Sequence, residues 1–142
     1  MISQHLAQAL RDAGVRWSPA AGDRFVIPQP ELDGEVFTLS EMTIEAREYP
    51  TGTILGFNGT TEWALDSVAQ DDALWLPRED QLRTLLGRTF VSLEQTDPDG
   101  AEPWVVTTRR DGGTETFAAD AAAEALGLAV LDLARRATAP IT

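Results

Sequence analysis

The chain has 142 residues, 43% hydrophobic and 24% charged, the composition of one globular domain (1–142) with a sizeable core. Its 23 acidic residues face 11 arginines and no lysine, a formal charge of −12, and it has one histidine and no cysteine. That excludes disulfides, thiol chemistry, Schiff-base lysines, Walker A phosphate binding and multi-histidine metal sites.

From the N-terminus, Ser3 is placed to cap a helix over 3–13, with Leu6, Leu10 and Ala13 on one face. Gly14 then stands where a left-handed residue is wanted, and Val15 folds back on Leu10. Trp17 opens an irregular stretch, Ser-Pro-Ala-Ala-Gly-Asp. Strands are expected at 24–27 and at 35–40, the latter with Phe37 and Leu39 towards the core and Val36 and Thr38 away from it. Residues 42–48 alternate again, residues 49–52 turn, and 53–57 continue the meander. Asn58-Gly59 suits a type I′ turn, which pairs Phe57 with Thr60, Leu55 with Glu62 and Ile54 with Trp63. A helix over 61–70 is the rival reading.

Residues 69–72 form a polar break, and Leu74-Trp75-Leu76 leads into Pro77. Proline suits the first turn of a helix over 77–86, with Glu79 and Asp80 at its positive end. Leu82, Leu85 and Leu86 make its buried stripe, and Gly87 stops it. Strands follow at 89–95, with Val91 and Leu93 opposite Phe90, then at 103–109, with Trp104 and Val106 on one face, and at 114–117. Asp97-Pro98-Asp99-Gly100 and Asp111-Gly112-Gly113 are the turns between them. Asp120 caps a helix to about Arg136, with Leu126, Val130, Leu133 and Ala137 along its stripe, widened by Leu128 and Leu131. Gly127 inside it lowers helix propensity, which a close approach to another backbone would explain. The tail 138–142 frays. The order predicts an α+β domain: an antiparallel sheet in two meanders, with N-terminal, central and C-terminal helices packed on it.

The N-terminus has no signal-peptide pattern and no stretch nears the length of a membrane span, so a cytoplasmic protein without membrane contact is expected. The only adjacent basic pairs are Arg109-Arg110 and Arg135-Arg136, too little for nucleic acid. In the acid-rich stretch, Glu31, Asp33, Glu35, Glu41, Glu45 and Glu48 stand against Arg47 alone. It reads either as a solvated face or as a docking surface for a basic partner.

No catalytic residue, metal site or cofactor is expected. No serine lies in a nucleophile elbow, His5 falls in the first turn of a helix, and Asp97-x-Asp99-Gly100 lacks the other ligands of a calcium loop. The four tryptophans read first as core residues with bonded N–H groups. If a groove exists, Asn58, Thr60, Glu62, Trp63, Trp75 and Arg78 would wall it, joining aromatic area to a few polar groups. The function expected is a non-enzymatic interaction or accessory domain whose partner is another protein or a second copy. The alternative is a small-molecule-binding protein or a carboxylate- or metal-dependent hydrolase near Trp63 and Trp75.

The runs 56–68 (GFNGTTEWALDSV) and 73–82 (ALWLPREDQL), with Gly22-Asp23-Arg24-Phe25-Val26 before them, resemble a group of small acidic actinobacterial proteins of unknown function. These are often labelled pilus-assembly proteins, which implies an accessory role in pilus or secretion work. The later pattern is also similar to small phage-associated proteins. Neither resemblance supplies catalytic residues. The pilus-assembly proteins of that name resemble MinD-type ATPases with receiver-like domains. This chain is too short for that pair and has neither a phosphate-binding loop nor a lysine, so no ATPase activity is expected.

Overall fold

The computed structural model describes residues 1–29, 34–39, 44–49, 52–57, 67–69 and 72–138, with 44–49, 52–57, 67–69 and 138 described by backbone alone. Among them are three α-helices and three three-stranded antiparallel sheets, an α+β architecture. The chain divides into two compact units, Trp17–Leu76 and the combination of Met1–Arg16 with Pro77–Thr142.

In the Trp17–Leu76 unit, β1 (Arg24–Val26) lies between β2 (Val36–Thr38) and β6 (Leu74–Leu76). Phe25, Val26 and Ile27 are all buried, so this short strand is covered on both faces. On β2 the expected alternation holds: Phe37 and Leu39 are buried and Val36 is 41% exposed. The segment before Pro77 is a strand that sequence reasoning missed. It pairs with β1 far back in the chain, Phe25 opposite Trp75 and Val26 opposite Leu74.

The second sheet has the order β3 (Ile44–Tyr49), β4 (Gly52–Phe57), β5 (Ser67–Ala69). The β3–β4 register ends on Tyr49 opposite Gly52, around the expected turn, whose Pro50 and Thr51 lie outside the described residues. At Leu55 and Ile54 the register expected from an Asn58-Gly59 hairpin is not formed. Leu55 pairs with Ala46 on one side and Val68 on the other, and Ile54 with Arg47 and Ala69. A strand has two edges, and at Ile54 and Leu55 both are taken. The turn itself, and the rival helix as far as residue 66, lie outside the described residues. At Ser67–Ala69 the rival helix is replaced by β5.

In the other unit, α1 (Gln4–Asp12) begins where expected: Ser3 Oγ accepts from the Leu6 N–H at 3.1 Å. It ends in a Schellman motif. The Val15 N–H donates to Leu10 O and the Gly14 N–H to Arg11 O, each at 3.0 Å, with Gly14 at φ 98°. Helix α2 (Glu79–Leu86) starts two residues later than predicted. Arg78 takes the N-cap place and Pro77 stands outside it, and the Arg78 N–H donates to Gln81 Oε1 at 2.9 Å. Leu82 and Leu86 are buried, but Leu85 is 41% exposed. At about 100° per residue it lies at the rim of a stripe centred between the other two. Gly87 ends the helix at φ 54°, and a 3₁₀ turn, Gly87–Thr89, leads into the third sheet.

That sheet is β7 (Phe90–Gln95), β8 (Trp104–Arg110) and β9 (Gly113–Ala119), in that order. Its register puts Leu93, Val106 and Phe117 in one row, and Gln95, Trp104 and Ala119 in another. A bulge between Phe90 and Ser92 takes Val91 out of the ladder and leaves it 41% exposed. Helix α3 (Ala122–Thr138) packs on β8 and β9 and also meets α1 and α2. Three sets of neighbours explain a face broader than a stripe: Ala122, Ala123, Ala125, Leu126, Ala129, Val130 and Leu131 are all buried. Leu133 is only half-buried and Ala137 is exposed. Asp120 is not the cap, because Ala121 O accepts the first helical bond, from the Ala125 N–H at 3.1 Å. Thr138 is helical, not part of the tail.

Candidate functional site

Of the six expected groove residues, Asn58, Thr60, Glu62 and Trp63 lie outside the described residues. Trp75 and Arg78 lie within them, in different compact units. Each has a local structural setting.

Trp75 belongs to an aromatic cluster that the strand register creates. Phe25 on the central strand faces Trp75 on one neighbour and Phe37 on the other. Such cross-strand aromatic pairs are the units that hold short strands together. The Phe25 and Phe37 rings stack with centroids 5.4 Å apart. Trp17, from the loop before β1, lies 5.5 Å from Phe25 and stacks on Trp75 at 6.4 Å with 7° between the planes. Trp17 and Trp75, each half-buried, are thus members of one aromatic cluster. The Trp75 indole N–H is buried with no hydrogen-bond partner among the described residues.

Asp23 fastens the loop at the Trp17 end of this cluster, and sequence reasoning did not single it out. It is 2% exposed. Its Oδ2 accepts from Trp17 Nε1 at 2.9 Å and from the Ala20 N–H at 3.0 Å. Its own N–H donates to Ala20 O at 3.1 Å, while its carbonyl accepts from the Leu39 N–H at 2.7 Å. Gly22, at φ 92°, returns a bond to Leu39 O at 2.7 Å. One carboxylate oxygen thus closes the turn and fixes the indole, while the main chain of Gly22 and Asp23 aligns the loop with the end of β2. Buried and engaged in this way, it holds a loop and does not meet a solute. The available signal was an aspartate ending a run of turn formers that begins with tryptophan.

Arg78 turns its guanidinium onto its own helix start. Nε lies 3.0 Å from Asp80 Oδ1, and Nη2 lies 3.4 Å from Oδ2. The hydrogen bond from Arg78 holds the Asp80 carboxyl below its ordinary pKa.

Other residues weighed for chemistry are engaged likewise. Ser3 donates both its N–H and its hydroxyl to Glu124, at 2.9 Å each. Asp97 builds a turn: its Oδ1 accepts from the Asp99 N–H at 3.0 Å and its carbonyl from the Gly100 N–H at 2.9 Å. One arginine of each basic pair reaches the same acid, since Glu115 pairs with Arg110 and with Arg136, and Arg136 also pairs with Asp132. His5 is exposed on α1. Among the described residues no three or more His, Asp or Glu side chains gather to hold a metal ion, and no helix is long and apolar enough to cross a membrane. No protein-family model matches the chain, and neither curated proteins nor solved structures yield a match.

Proposed function

We propose that this protein acts by binding another protein, one that presents a basic surface, and not by assembling a reaction. The observation that carries the reading is the charge of −12, with 23 acids against 11 arginines. The acids that the fold brings onto other groups serve as structural ligands, as Asp23, Glu124 and Glu115 do. Exposed acids such as Asp12, Glu79, Glu94, Asp99 and Glu102 leave a negative field over the surface. Such a field accelerates encounter with a cationic surface and opposes pairing with a second copy of the same charge. The resemblance to acidic proteins labelled for pilus assembly adds a setting: accessory work in pilus or secretion assembly.

The test uses the full chain, immobilised and exposed to host extract, with bound proteins eluted by a salt gradient. A binder is then purified and titrated. The expected partner is basic, and its affinity falls at least about tenfold between low and high salt, where exposed charges are screened. No binder, or a binder indifferent to salt, defeats the reading. Light scattering at low salt should find a monomer; a dimer there would make the second copy the partner.

A further inference from the structure

Asp-Gly dipeptides are places where a protein chain attacks itself. The glycine amide nitrogen adds to the aspartate side-chain carbonyl, an oxygen of that carboxyl leaves as water, and a five-membered succinimide forms. Water then opens the ring. Attack at the former side-chain carbonyl restores aspartate; attack at the α-carbonyl leaves isoaspartate, with the chain running through the side-chain carbon. The water lost is the water regained, so the change is an isomerisation that needs no other reactant. A glycine with a free N–H offers the attacking nitrogen least hindrance.

Two complete Asp-Gly dipeptides stand among the described residues: Asp99-Gly100 between β7 and β8, and Asp111-Gly112 between β8 and β9. Both aspartates are exposed. Their glycine nitrogens differ. The Gly100 N–H donates to Asp97 O at 2.9 Å, and the Asp99 N–H is tied to Asp97 Oδ1 at 3.0 Å. Attack at Asp99 must first break a closed turn. The Gly112 N–H enters no hydrogen bond among the described residues. Gly112 sits at φ 83°, and a Cβ placed there would meet nothing within 4 Å, so no other part of the chain crowds its Cα.

We infer that Asp111 is a site of isoaspartate formation in the folded protein, and that Asp99 is protected by its turn. The β8–β9 connection is only two residues long, between the paired Arg110 and Gly113. Isoaspartate adds one backbone carbon to it, which alters the strand end where Arg110 meets Glu115. The product carries a free α-carboxylate on a displaced chain, the group that a carboxyl methyltransferase of the isoaspartate-repair type would methylate.

Folded protein is incubated near neutral pH at physiological temperature and digested, and the aspartyl and isoaspartyl forms of each peptide are separated. The peptides with Asp33-Gly34 and Asn58-Gly59 are scored separately. Isoaspartate at 111 should form about fivefold faster than at 99, the rate factor that corresponds to the net worth of one hydrogen bond. In denaturant the two rates should converge, which shows that structure, not dipeptide chemistry, separates them. Asp111→Glu, which would need a six-membered ring, should remove the signal at 111 and leave that at 99 unchanged. Methyl transfer to the aged protein should follow the amount of isoaspartate at 111. Equal rates in the folded state, or isoaspartate at 111 only after unfolding, overturns the inference.

Discussion

A carboxylate that is 2% exposed loses most of its hydration, and only donors within the protein can replace it. For Asp23 those donors include the Trp17 indole and the Ala20 amide. Asp23→Ala leaves both N–H groups without their acceptor. Hydrogen bonds to a charged group are worth roughly 1.5–3 kcal/mol each, so urea unfolding should report a loss of about 3 kcal/mol. Asp23→Asn keeps one carbonyl oxygen in place and should lose less, about 1 kcal/mol. Equal losses would mean that the charge, and not the acceptor geometry, is what the loop requires. Asp80 offers a reading of the opposite kind, at the surface. Its folded pKa is lowered, first by the hydrogen bond from Arg78. Its stabilising pairing is therefore full above the unfolded carboxylate pKa and is lost as pH falls through the lower folded value. Arg78→Ala should move the Asp80 titration upward in a carboxyl carbon NMR series; an unmoved midpoint would remove Arg78 as the cause.

Gly127 decides how α1 meets α3. A Cβ there would lie 2.5 Å from Leu6 Cδ2 and 3.3 Å from Leu6 Cγ, and Leu6 is itself buried. Gly127→Ala gains roughly 1 kcal/mol of helix propensity but meets an overpacking cost of about 1–3 kcal/mol. The net expectation is a loss of about 1 kcal/mol in chemical denaturation, from the midpoints of these effects. In the Leu6→Ala background the obstacle is gone, and the same substitution should become stabilising; strict additivity would show that the helices do not meet through this pair. Ser3→Ala, which removes a cap bonded to Leu6 and to Glu124, should cost about 1 kcal/mol more. These features differ in how far the chain sequence announces them. The Ser3 cap, Gly14, Gly87 and the Asp97 turn depend on neighbours a few residues away, so their chemistry is legible. Gly127 is legible as an anomaly, but its cause, Leu6, lies far away in sequence. Strands β5 and β6 are three residues long and owe their form to distant partners, Val68 to Leu55 and Trp75 to Phe25. Nothing local marks them. The candidate groove named Trp75 and Arg78 for their aromatic and polar character; ring stacking gives Trp75 a place in the aromatic cluster, and a hydrogen bond to Asp80 gives Arg78 one at the start of α2.

At the scale of the whole chain, two electrostatic effects compete. Local pairs such as Arg136 with Glu115 and Asp132 join the end of α3 to β9, with every partner at least one-third exposed. Exposed pairs of this sort contribute roughly 0–1 kcal/mol, even before salt screens them. Against them stands the mutual repulsion of a charge of −12, which favours any expanded state. Repulsion acts over distances longer than a salt bridge, so it is the effect that salt suppresses most when the Debye length shrinks from roughly 30 Å in dilute buffer to roughly 8 Å. Added NaCl should therefore stabilise the fold despite weakening the pairs. Calorimetric scans in dilute buffer and at physiological ionic strength should differ by about 3 °C in Tm, the shift that about 1 kcal/mol gives at this chain length. Arg136→Ala separates the two effects. It removes one cation from an acidic surface, so its Tm deficit should narrow as salt rises, because the added repulsion is screened along with the lost pairing. A wild-type Tm that falls with salt would mean that the pairs outweigh the repulsion, and the negative surface would lose its standing as the long-range attractor on which partner binding depends.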